Sequence, residues 1–175
     1  MKYLIDFDHT LLDTDRFVAQ VVADGRENDL VTSGIWQFYN VRDYLYEDVL
    51  GWLRSKAKED LHILTAMTPS LGSESCDFQR EKLHSGNFTE FVESITFMVG
   101  EKGEAAAEIA SQFPPHEPLV FIDDRLDQCL SVKVAIPEAH CFMIVREGDL
   151  SVAVPPEVSV VSNLAEVDVI MNKSV

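Results

Sequence analysis

The sequence predicts an α/β domain, a parallel sheet of five or six strands with helices on its faces. Two observations lead there. Short apolar, β-rich runs at 2–6, 61–65, 94–99, 119–123 and 140–145 are mostly separated by stretches of helical periodicity. Two of those runs, KYLID and LVFID, end directly in clustered aspartates. Open parallel sheets place their ligand-handling groups at the carboxyl ends of strands, so both clusters sit where such a sheet does its chemistry. Strands alternating with helices imply right-handed crossovers.

Taken in order, Lys2–Ile5 is long enough for one buried strand. A long connection follows, from Asp13 to a helix that begins near Glu47. Phe17, Val18, Val21 and Val22 suggest one helix within it, closed near Gly25. Ile35, Trp36, Phe38, Tyr39 and Leu45 suggest a second. This is too much for a turn, and residues 14–45 read as a small helical cap inserted after the first strand. Residues 1–13 and 46–175 form the α/β core. The cap would lie over the acidic strand end, either as a lid or as ordinary packing. Val49, Leu50, Leu53 and Ala57 share a helical face in 47–58. Ala106, Ala107, Ile109, Ala110 and Phe113 do so in 103–113, before Pro114-Pro115 stops the helix. Leu126, Leu130 and Val134 recur at every fourth position in 124–134. A sixth strand is expected at 157–161, and a terminal helix from Leu164.

A length of 175 residues fits one domain with a small insert, and 46% apolar residues suffice for a core. The net charge of -16 argues against binding nucleic acid or anionic membranes, which need clustered Lys and Arg. Cys76, Cys129 and Cys141 lack metal-ligand spacing and read as reduced thiols. No secretion signal or membrane span is evident, and a cytoplasmic protein is expected. Oligomeric state is not readable.

The chemistry rests on four short stretches. Asp6 and Asp8 repel each other unless a cation intervenes, and a divalent metal is the usual answer. Asp123 and Asp124, with Asp127 beyond, repeat the pattern. If the two strands are neighbours, four carboxylates converge, and hard oxygen donors in that number suit Mg²⁺. Thr65 ends the strand HILT and offers a hydroxyl to a phosphate oxygen. Lys102 stands at a helix start, against the dipole preference, which favours a functional role. Lys82 is its competitor, but the polar stretch QREKLHSG reads as an exposed helix end, so Lys102 is preferred.

In that order, Asp-x-Asp-x-Thr, strand-end Thr, helix-start Lys and strand-end Asp-Asp, the residues resemble the haloacid dehalogenase superfamily of phosphohydrolases. Asp6, Asp8 and Thr10 match its first motif, Thr65 the second, Lys102 the third and Asp123-Asp124 the fourth. The resemblance covers residues 2 to about 145. It implies a three-layer Rossmann-like core with a helical cap, and Mg²⁺-dependent hydrolysis of a small phosphomonoester through an aspartyl-phosphate. Asp6 would be the nucleophile and Asp8 the acid and base, the latter with a raised pKa. Thr65 and Lys102 would bind the phosphoryl oxygens. The metal would be held by Asp6, Asp8 and Asp124 or Asp123, with Asp124 favoured as the direct ligand. Thr10 would be structural within the loop. A phosphotransferase or mutase would use the same residues, and a non-catalytic binding domain or a dehalogenase are the other readings.

Overall fold

The computed structural model describes residues 1–68, 72–148, 150 and 153–173. Among these residues it contains one six-stranded sheet, every strand pairing parallel, in the order β3-β2-β1-β4-β5-β6. The strands are β1 (Lys2–Ile5), β2 (Leu61–Ala66), β3 (Ser94–Met98), β4 (Leu119–Asp123), β5 (His140–Ile144) and β6 (Val158–Val161). All six runs expected from the sequence are strands. The chain builds outward from β1 to β3, then returns to the other side of β1 for β4 to β6. The order therefore reverses between β1 and β4, where a crevice opens at the carboxyl ends. Both acidic clusters follow these two strands, paired in register Tyr3↔Val120 to Ile5↔Ile122.

The central strands are apolar on both faces because both are covered. Tyr3 and Ile5 face one core, with Val21, Trp52, Leu83 and Val167 from helices α1 (Thr14–Ala23), α2 (Val49–Arg54), α3 (Ser73–Ser85) and α6 (Leu164–Met171). Leu4, Leu64 and Phe121 face the other, with Ala106 and Ile109 of α4 (Gly103–Ala110) and Cys129 and Val132 of α5 (Leu126–Ala135). No helix among the described residues is long and apolar enough to cross a membrane.

The stretch 14–45 departs from two α-helices. The first is α1, capped by Asp13 and ended by Gly25 at φ +68°. The second is a series of 3₁₀ turns at Glu27–Asp29, Ser33–Gln37 and Val41–Tyr44, because Thr32 and Asn40 are extended and break any longer helix. Its aromatics hold it to the core. Trp36 stacks on Phe17 at 4.7 Å, and its Nε1 donates to the Phe78 carbonyl of α3 at 3.2 Å. The stretch 47–58 is α-helical only over Val49–Arg54, and 103–113 only to Ala110.

Candidate active site at the carboxyl ends of β1 and β4

Asp6 extends β1 by one step, its N–H donating to Ile122 O at 2.9 Å. The chain then turns sharply. Phe7 O accepts from Leu11 and Leu12 N–H, both at 2.9 Å, and His9 takes a left-handed φ of 55°. The turn brings Asp8 back to the strand ends. Asp123 closes β4, and Asp124 follows at once. Carboxylate oxygens of Asp6, Asp123 and Asp124 lie within 4.8 Å of one another. These groups open into a cavity of about 510 Å³, which Asp8, Thr65, Gln79, Lys82 and Lys102 also line.

Lys102 is the N-cap residue of α4, its N–H donating to Gln128 Oε1 at 2.8 Å. Its buried ammonium bonds Asp6 Oδ1 and Asp123 Oδ2, the latter at 2.6 Å. Burial opposes the Lys102 charge, but the two aspartates outweigh it and hold the pKa above the ordinary lysine value. Burial also pushes Asp6 up to about 6 against the pull of Lys102, with Asp123 adding repulsion. Asp123 and Asp124 are raised too, first by burial. Asp123 spends its second oxygen on the Arg125 N–H at 2.9 Å. Asp124, among the described residues, takes no hydrogen bond from another residue.

Asp8 is in the opposite state. Its two oxygens accept from Lys82 Nζ at 2.6 and 2.7 Å, Gln79 Nε2 donates at 2.8 Å and Thr14 Oγ1 at 2.9 Å. Burial alone would raise its pKa, but Lys82, Gln79 and Thr14 together lower it. The raised value expected for an acid is therefore absent. The expected exposure of Lys82 is also corrected, since only 2% of the residue is accessible. Ser75, Gln79 and Lys82 are spaced by four and three along α3, one helical face, and all three are buried. Helix α3 thus turns a polar face inward, which apolar periodicity does not detect. The spacing S-x₃-Q-x₂-K is the signal that could have found Gln79 and Lys82. Lys102 and Lys82 are accordingly not rivals: each serves a different aspartate.

Thr65 stands at the strand end as expected, 1% exposed, its Oγ1 accepting from Gln79 Nε2 at 2.9 Å. Thr10 is buried, and it is its carbonyl, bound by Arg146 Nε at 2.9 Å and Nη2 at 2.6 Å, that ties the loop to β5's end. Its hydroxyl has no partner among the described residues. Arg125 pairs with Asp127 at 2.5 Å.

No protein-family model and no curated protein matches the sequence. Solved structures do. A haloacid dehalogenase-like protein of Burkholderia xenovorans is 18% identical, covering 94% of this chain and 95% of that one, with a TM-score of 0.67. A haloacid dehalogenase-like family hydrolase of Xanthomonas campestris is 12% identical over 99% and 95%, at 0.65. The L-2-haloacid dehalogenase of Xanthobacter autotrophicus is 10% identical over 98% of both chains, at 0.62. The chain has the haloacid dehalogenase-like fold.

Within this haloacid dehalogenase-like fold the sequence-predicted residues assemble at one crevice. Asp6, Asp8, Thr65, Lys102, Asp123 and Asp124 all line the same cavity. The three mutually close carboxylates fit a divalent metal. Asp6 Oδ2 and the Asp124 carboxylate are the oxygens left over once Lys102, Arg125 and Asp123 have been satisfied. Hard donors of that kind suit Mg²⁺.

Proposed function

We propose that the protein is a Mg²⁺-dependent phosphatase that hydrolyses a phosphomonoester through an aspartyl-phosphate on Asp6. The observation that carries the reading is the convergence of Asp6, Asp123 and Asp124 beside Lys102 at one cavity. Displacement of halide from carbon asks for one carboxylate and no metal. Three carboxylates crowded in this way repel one another, and a cation beyond Lys102 would relieve that repulsion while keeping all three ionised. Asp6, Asp124 and the Asp8 carbonyl would hold the metal, which supplies positive charge against the phosphoryl oxygens and orients them. Asp123 holds Lys102 in place.

The protein's own groups then do the following. Asp6 attacks phosphorus, and the bond to the leaving oxygen breaks. Lys102 and Thr65 stabilise the charge spread over the transferring oxygens. Water then attacks phosphorus, Asp8 takes its proton, and the bond between phosphorus and the Asp6 oxygen breaks, releasing phosphate and restoring the Asp6 carboxylate. Lys82 sets Asp8 for that second step by keeping it ionised. For the first step Asp8 would turn from Lys82 toward the cavity, take a proton from solvent water and pass it to the leaving oxygen, which leaves it ionised for the second step.

Phosphate release from p-nitrophenyl phosphate, with and without EDTA, tests the reading. Turnover should need Mg²⁺, and Asp6→Asn should lose at least about a thousandfold, the scale of losing a covalent nucleophile. Equal turnover by Asp6→Asn, or release of halide from 2-haloacids in EDTA, would sink it.

A further inference from the structure

The cavity is divided. Its floor carries the charged groups, while the part toward residues 12–31 and α3 is built from Leu12, Phe17, Val18, Leu30, Val31 and Phe78. Within this wall Leu12 and Phe17 are almost fully buried, and Val31 stands half exposed at 45%. The lining cations are already matched. Lys82 is on Asp8, Lys102 on Asp6 and Asp123, and Arg125 on Asp127. Several donors among the cavity's polar groups are also committed. Thr14 donates to Asp8, Ser75 Oγ to the Thr68 and Gly72 carbonyls, and the Gln79 amide to Asp8 and Thr65. The six apolar side chains themselves offer no hydrogen-bond partner, so a hydroxyl pressed against them would lose water without regaining one.

Resting on the phosphatase reading, we infer that the leaving group is an apolar alcohol, aliphatic or aromatic, and not a sugar or nucleoside. The inference follows from chemistry and from size. A cavity of roughly 150 Å³ already admits a benzene ring, so 510 Å³ leaves room for a phosphoryl group and an apolar body of one ring or a short chain. The apolar wall gives affinity in proportion to area covered, about fourfold per methylene.

The test compares alkyl phosphates from ethyl to hexyl in saturating Mg²⁺, a series with nearly constant leaving-group chemistry. We expect kcat/KM to climb about fourfold per methylene until the wall is covered. Cyclohexylmethyl phosphate should exceed the nearly isosteric glucose 6-phosphate by at least about a hundredfold, the cost of leaving several hydroxyls unpaired. Val31→Ser, which removes apolar area from the wall without adding charge, should flatten the chain-length dependence, with the loss in kcat/KM growing from ethyl to hexyl phosphate. Hexylphosphonate binding, followed by calorimetry, should weaken in the same variant. Preference for glucose 6-phosphate, or a flat alkyl series, overturns the apolar leaving group and leaves the phosphatase reading standing. Tight hexylphosphonate binding without turnover of any ester overturns the phosphatase reading instead.

Discussion

At the scale of single residues, the site stores unfavourable charge. Asp6 is buried with its pKa pushed up to about 6, mainly by desolvation that Lys102 only partly offsets. An ordinary aspartate, as in an unfolded chain, titrates at about 3.9. Between those two values the folded state binds the proton that the unfolded state has released, so stability falls as pH rises through the window. The cost is absent below the unfolded value and complete above the folded one. Two pKa units correspond to about 3 kcal/mol. In EDTA, Asp6→Asn should therefore be more stable than the native protein by about 2–3 kcal/mol at pH 8. The advantage should shrink toward zero by pH 4. Urea unfolding at several pH values measures it, and a variant less stable at pH 8 would show that Lys102 more than offsets burial. A proposed nucleophile that costs stability is what a site organised for reaction, and not for the resting fold, should contain.

At the scale of elements, α3 is the one whose part in the site was least legible beforehand. β1 and β4 were readable because an apolar run that stops in aspartates carries both its structure and its placement in the sequence. The 124–134 helix was readable from its fourth-position leucines. For α3 the useful residues, Ser75, Gln79 and Lys82, are polar and point inward, while charged residues such as Arg80 point out. Polarity on both faces reads as solvent exposure unless the partners are known, and Asp8 lies 74 positions away from Lys82. The 3₁₀ turns after α1 were illegible for a different reason: their apolar spacing suits a helix, but extended Thr32 and Asn40 interrupt it. The Lys82 pairing makes a specific prediction. Lys82→Met leaves the partly buried Asp8 carboxylate without its cation and, discounted for solvent reaching Asp8, should cost about 1–3 kcal/mol at pH 7. The loss should lessen as pH falls, because Asp8, freed from Lys82, rises in pKa and protonates. Adding Asp8→Asn to Lys82→Met should recover most of the loss in urea unfolding at pH 7. If it recovers nothing, Lys82 matters through packing against Phe78 and not through charge.

At the scale of the whole molecule, the net charge of -16 opposes the proposed reaction. A phosphomonoester is itself an anion, and the field it meets on approach is set by the summed surface charge. Within the site Lys82 and Lys102 are already neutralised by aspartates, so they do little to reverse that field at a distance. Salt should therefore help. Raising ionic strength from about 0.01 to 0.1 M shortens the screening length from roughly 30 to 10 Å. With Mg²⁺ held saturating, kcat/KM for hexyl phosphate should rise several-fold over that range in KCl. The steps after binding occur at contact distances that salt screens weakly, so kcat should stay level. Hydrophobic strengthening by salt is not the cause at these concentrations, and ethyl phosphate should show the same proportional gain as hexyl phosphate. A fall in kcat/KM would mean that the local field at the crevice is positive, as a tightly held metal beside Asp124 would make it. Steady-state kinetics across that one salt series separates the molecule's overall acidity from the charge of its site.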